Sequence, residues 1–142
     1  SWRQMQRRCP NARFHCVASL ADHTLDFTRR SPMRGSGVAD VVAQPGIQVY
    51  GVVYEVADED IAMLDRLEGF SPGVDAYVRL KREVIATEPP NEAMEVELYE
   101  VARKVPFVAP SRDYLDLLID GAVHWRLPAR YIDGLRTFPT GD

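Results

Sequence analysis

Residues 57–69 read Ala57-Asp58-Glu59-Asp60-Ile61-Ala62-Met63-Leu64-Asp65-Arg66-Leu67-Glu68-Gly69, and this helical stretch lies between two blocks of β-rich sequence. Asp58 or Asp60 can cap its start, and Gly69 stands just past its end, so the spacing predicts a short α-helix with defined limits. At about 100° per residue, Glu68 projects between Ile61 and Leu64, toward the core rather than toward water. The last turn of a helix carries partial negative charge, and burial disfavours ionisation. Both effects raise the proton affinity of a carboxyl group placed there. Glu68 is therefore a candidate general acid/base, although a terminal glutamate can also turn out to solvent or accept a bond from an arginine.

The runs on either side set the rest of the fold. Phe14 to Leu20 and Thr24 to Thr28 read as two strands around Ala21-Asp22-His23. The loop Arg29 to Gly37 follows, carrying two glycines and one proline. Val38 to Ala43 and Ile47 to Val56 are further β-rich runs, with Gln44-Pro45-Gly46 read as a tight turn between neighbouring strands. Beyond the helix and a loop from Phe70 to Ala76, strands are expected over about Tyr77 to Ala86 and Glu95 to Arg103. From Ser111, an available cap, the pattern turns helical, with Tyr114, Leu117, Leu118, Ala122 and Trp125 on one face. A last short helix follows Pro128 and carries Tyr131, Ile132, Leu135 and Phe138 on its apolar side. At the N-terminus, Ser1 and Gln4 fit a capping box, and Trp2, Met5 and Cys9 share a face before Pro10. Strands early and helices late, with no fixed repeat, predict one α+β domain over residues 1–142 with a mostly antiparallel, closed sheet.

Composition narrows the function classes. With 46% hydrophobic and 27% charged residues in 142, the chain can bury one core and leaves little room for a second domain. No run approaches the ~20 apolar residues of a membrane span, and nothing resembles a secretory signal, so a cytoplasmic protein is expected. The net charge of -4 argues against a nucleic-acid partner. Arg29, Arg30 and Arg34 read as a solvated loop. Cys9 and Cys16 fit neither a CxxC pair nor a zinc knuckle and read as reduced thiols. His15, His23 and His124 have no ligand spacing among themselves, so no metal is expected. Ser36 lies between glycines without the strand-elbow-helix context of a hydrolase nucleophile.

The ordered motifs resemble one family. Gly37-Val38-Ala39-Asp40, Val49-Tyr50-Gly51-Val52-Val53-Tyr54, Leu64-Asp65 with Glu68-Gly69, and Tyr77 are similar to the γ-glutamylcyclotransferase-like family. Pro110-Ser111 with Tyr114, Gly121-Ala122, and Leu127-Pro128 with Tyr131 and Leu135 resemble its C-terminal helices. The resemblance implies a small mixed barrel flanked by helices and the release of 5-oxoproline from a small γ-glutamyl amino acid, amide or amine, with no cofactor. It carries the catalytic role to Glu68 and implies that Tyr77 and Tyr99 line the substrate pocket. Asp40 falls where the family often has an acidic or small polar residue, and a surface role fits it equally well. The family opens on a strand that ends in a Tyr-Gly-Ser-Asn loop, whose main-chain N–H groups hold the γ-glutamyl unit. Ser1 corresponds to the helix that follows, so the expectation is a domain without that first strand, whose exposed edges could drive homodimer formation. The alternative class is a non-catalytic member that binds a small metabolite or a protein partner.

Overall fold

The computed structural model describes residues 5, 7, 9–67, 70, 71 and 74–142. Among these, strands β1 (Arg13–Arg30) and β2 (Gly37–Glu55) precede helix α1 (Asp58–Leu67). The short strands β3 (Phe70–Ser71) and β4 (Val74–Asp75) lead to β5 (Tyr77–Ala86) and β6 (Ala93–Val101). Helices α2 (Arg112–His124) and α3 (Ala129–Arg136) close the chain. The α+β class is as expected. The main sheet has the order β2-β1-β5-β6, and each described ladder in it is antiparallel. Edge strands β2 and β6 approach one another, but no described ladder joins them, so the sheet curls without a closed hydrogen-bonded ring among the described residues.

Two expected turns are bends inside long strands. Ala21-Asp22-His23 does not fold the chain back: Asp22 takes φ 59 within β1, and pairing with β2 resumes on both sides of it. Ala21 faces Gln48 and His23 faces Ala43, so residues 44–47 of β2 bulge opposite Asp22. Gly46 adopts φ 84, open to glycine at no steric cost, and its N–H donates to Asp22 Oδ1 at 2.9 Å. Turn-type residues here bend a paired ribbon; the buried residues Leu20 and Phe27 on its two halves keep both against the core. The expected loop 70–76 contains the β3–β4 pairing. The proposed capping box at Ser1 and Gln4 and the apolar face begun by Trp2 lie outside the described residues, whereas Cys9 N–H donates to Met5 O at 2.8 Å, as in a helical turn.

The helices meet their sequence signals. Ser111 caps α2 by accepting from Tyr114 N–H at 3.2 Å, and α3 starts immediately after Pro128. They bury Leu115, Ile119, Ala122 and Leu135 against Phe27 of β1, which Phe107, Tyr114 and Phe138 meet edge-on. A second cluster, Ala18, Leu20, Val49 and Val84, lies within the curl of the sheet. Tyr131 of α3 packs against both clusters. Gly37 begins β2 where the chain passes segment 105–109: a Cβ there would stand 1.8 Å from Val108 O, so no larger residue fits unless the backbone shifts.

Asp40 is the main polar feature of the interior. Its side chain is fully buried, and its carboxylate accepts from Thr28 Oγ1 at 2.7 Å, Val101 N–H at 2.9 Å and Lys104 Nζ at 2.7 Å. Lys104 also donates to Val101 O, and Glu100 beside it pairs with Arg82 at 3.0 Å. One carboxylate thus ties β1, β2 and the end of β6 together, and each contact is charge-assisted. Removing it leaves Lys104 half-buried without its closest counter-charge. Asp40→Ala is expected to lose about 3 to 5 kcal/mol in denaturant unfolding; a loss under about 1 kcal/mol would show that solvent readily replaces the network.

Candidate active site

Strands β5 and β6 bring the sequence-predicted tyrosines to one face. Tyr77 pairs with Val101 and Arg79 with Tyr99, so strand alternation puts Tyr77, Arg79 and Tyr99 on the same side of the two-stranded ladder. Arg79 stands between the two phenol-bearing positions, two residues along β5 from Tyr77 and directly across from Tyr99. Its Nε lies 3.6 Å from Glu97 Oε1, and farther along the face Lys81 lies 3.9 Å from Glu95. The Arg29 guanidinium sits 5.5 Å from the centre of the Tyr77 ring, a cation–π contact from β1.

A cavity of about 970 Å³ opens beside this face. Consecutive residues of β2 from Tyr50 to Glu55 and of β6 from Met94 to Tyr99 border it, so both edges of the sheet flank the space. Ile61 and Leu64 of α1 form part of its wall, which places the helix that ends near residue 68 against the cavity. Tyr99 and Arg79 line it; Tyr77 is not among the lining residues. Glu68 and Gly69 lie outside the described residues. Helix α1 begins at Asp58, so Asp58 and Asp60, expected as alternative caps, both lie within its first turn with Glu59, where the helix dipole favours them.

Tyr50, Tyr54 and Tyr131 line the same space. Tyr131 and Tyr50 meet edge-on, with ring centres 5.4 Å apart. Burial pushes the Tyr131 hydroxyl up to about 12, and a hydrogen bond from the Tyr50 main chain offsets part of that rise. A main-chain bond that favours the phenolate comes from an N–H donor, so Tyr131 engages the edge of β2 from α3. Sequence reasoning took Tyr131 as part of an apolar helix face, and its phase fits that reading. Its place after Leu127-Pro128 in the C-terminal signature was the signal that could have drawn attention to it.

His15 pairs with Glu55 at 3.3 Å at the cavity border, and His23 Nδ1 lies 2.9 Å from Ala21 O. Among the described residues no group of three His, Cys, Asp or Glu side chains could hold a metal ion. Cys9 and Cys16 are not joined by a disulfide, and burial pushes the Cys16 thiol above its ordinary range. No described helix is long and apolar enough to cross a membrane.

With this geometry in view, the chain belongs to the AIG2-like family, whose family model matches residues 48–135. The chain is 30% identical to the gamma-glutamylcyclotransferase of Homo sapiens over 143 aligned positions, covering 95% of this chain and 71% of that protein. It is 32% identical to the gamma-glutamylcyclotransferase of Mus musculus, over 91% of this chain and 68% of that one. A solved structure described as a gamma-glutamyl cyclotransferase superposes with a TM-score of 0.90 at 26% identity, covering 99% of this chain and 83% of that one.

The Tyr131 environment has a consequence for stability. Its hydroxyl ordinarily ionises near 10.0 and here near 12, so between those pH values the folded chain holds a proton that the unfolded chain has released. The stabilisation is complete below about pH 10 and is lost as pH rises through about 12, amounting to roughly 2 to 3 kcal/mol. Denaturant unfolding across this window is expected to fall more steeply for the natural chain than for Tyr131→Phe, which cannot ionise; equal slopes would contradict the assignment.

Proposed function

We propose that the protein is a γ-glutamylcyclotransferase-type enzyme that releases 5-oxoproline from a small γ-glutamyl amino acid, amide or amine. The observation that carries this reading is the likeness to the human and mouse gamma-glutamylcyclotransferases over more than nine-tenths of the chain. Tyr99 on the cavity wall and α1 beside it agree with the reading.

In this reaction the α-amino nitrogen of the γ-glutamyl unit attacks its own γ-carbonyl carbon. A lactam C–N bond forms and the bond to the attached amine breaks. The attacking nitrogen must shed a proton and the departing nitrogen must gain one, so a single carboxyl group can serve as base and then as acid. We assign that work to Glu68, whose helical phase sends it toward Ile61 and Leu64, both on the cavity wall. A carboxyl group at a helix C-terminus beside apolar residues holds its proton more tightly than one in water, which suits a group that must take and return a proton near neutral pH. Tyr99, on the cavity wall, is assigned to the substrate pocket, where a phenol can donate to the carboxyl group or to the substrate, and Tyr77, which does not line the cavity, is assigned a place beside it on the same face. The mechanism uses no cofactor.

The test is direct. 5-Oxoproline release from γ-glutamyl dipeptides and γ-glutamyl amines is measured with this chain and with the chain extended upstream of Ser1. Turnover is expected, and Glu68→Gln is expected to lower kcat by roughly 10² or more with a folded protein by circular dichroism. Turnover undiminished in Glu68→Gln would remove the acid/base assignment. No turnover with either form would favour the non-catalytic binding reading.

A further inference from the structure

Strand register divides the cavity wall into two surfaces of opposite character. Residues directly across an antiparallel ladder point to the same side, and successive residues of a strand alternate. Ala18 stands opposite both Gly51 of β2 and Ala86 of β5, and Val84, two residues before Ala86, stands opposite Met94 of β6. Ala18, Gly51, Val84 and Met94, with Val96 and Leu98 farther along β6, therefore share the inner face of the curl, where the β6 residues pack against the buried Ala18 and Val84. All six line the cavity, and none carries a charge. Arg82 alternates onto the same face but is tied to Glu100 at 3.0 Å and is not a lining residue. The charged lining groups of β5 and β6, Arg79, Lys81, Glu95 and Glu97, belong to the opposite face, with Tyr99. Within the inner surface β2 carries no side chain at Gly51: a Cβ built there meets nothing within 4 Å, so the space above it is open among the described residues. The backbone at Gly51 lies outside the left-handed region, so no turn requires the glycine.

A γ-glutamyl unit carries an ammonium and a carboxylate, and burying either against apolar side chains without a partner is strongly unfavourable. That half of a substrate is held to the polar side of the space, with Tyr99, and the inner surface is left for the other half. We infer that the inner face of the curl receives an unbranched apolar chain carried by the departing amine, and that Gly51 sets how deep the chain reaches. This rests on the proposed cyclotransferase reading and names its substrate class, γ-glutamyl amides of alkyl-bearing amines. Each methylene withdrawn from water onto this surface strengthens recognition by up to about fourfold. A larger side chain at position 51 occupies the same space and removes that gain. A leaving group that ends in a hydroxyl gives up its hydrogen bonds to water there, because the inner-face side chains offer none in return.

The test compares 5-oxoproline release from the γ-glutamyl conjugates of ethylamine, butylamine, hexylamine and 5-aminopentanol, the last matching hexylamine in length but ending in a hydroxyl. For the natural chain, kcat/KM for the hexyl conjugate is expected about tenfold or more above that for the ethyl conjugate, carried mainly by KM, with the butyl conjugate between them. The 5-aminopentanol conjugate is expected about tenfold below the hexyl one. In Gly51→Leu the hexyl-to-ethyl ratio falls toward one. In Gly51→Ala, whose added methyl meets no neighbour, it falls part of the way, which keeps the test open if the leucine variant does not fold. A ratio near one in the natural chain, or a ratio unchanged in the folded variants, overturns the inference. A hydroxyl-ended conjugate used as well as the hexyl one overturns the apolar character of the subsite. If no conjugate is turned over, the cyclotransferase reading fails, and NMR titration with hexanol and ethanol decides the inner surface alone. Hexanol bound more tightly than ethanol, with that difference reduced in Gly51→Leu, retains it; equal binding or none rejects it.

Discussion

The buried Asp40 carboxylate holds together what the sheet's ladders alone leave loosely joined. The ladder between β5 and β1 pairs Ala18 with Ala86 and Ser19 with Ile85, near the end remote from Tyr77. At the other end of the β5–β6 pair, Asp40 of β2 accepts from Val101 N–H, and Val101 is the register partner of Tyr77. Lys104 neutralises the carboxylate and returns a bond to Val101 O. The face bearing Tyr77, Arg79 and Tyr99 is therefore anchored from both ends, once by main-chain pairing and once by a buried charge. A buried ion pair is not by itself evidence of high stability, because desolvation offsets much of its attraction. Its effect here is geometric: three donors converge on one carboxylate, and few arrangements of β1, β2 and β6 satisfy all three.

The curl of the sheet then determines where a ligand can go. Edge strands normally offer unpaired main-chain groups to any passing strand. In this fold β2 and β6 turn toward each other and flank a shared space, with α1 covering part of it and Tyr131 engaging the β2 edge from α3. Among the described residues the lining of this space combines apolar side chains and tyrosines with charged groups, Arg79, Lys81, Glu55, Glu95 and Glu97, which suits a small molecule with defined polar ends. The AIG2-like family membership gives that space a chemical context.

How much of this could be read from the residues differs by element. Helices α1, α2 and α3 and strands β5 and β6 announce themselves because their periodicity, caps and flanking Pro or Gly agree with one another. Asp22 and Pro45-Gly46 are turn-type residues and on sequence alone divide β1 and β2 in two; only the long-range pairing of the two strands shows that they form a bend. Asp40 was equally ambiguous, since its partners Val101 and Lys104 lie 61 and 64 residues away in sequence. At the site, Tyr99 was found through resemblance and lies on the cavity wall. Tyr131 was hidden by its helical phase, which is that of a core residue, because the cavity it borders exists only once α3 reaches the β2 edge.

The proposed mechanism depends on Glu68, just beyond the end of α1, acting in the space beside Tyr99. A crystal structure of the protein with 5-oxoproline bound tests it most directly. The account predicts the lactam beside Tyr99, with a Glu68 carboxyl oxygen within hydrogen-bonding distance of the lactam nitrogen. A Glu68 side chain turned into bulk solvent with the ligand seated elsewhere would contradict it.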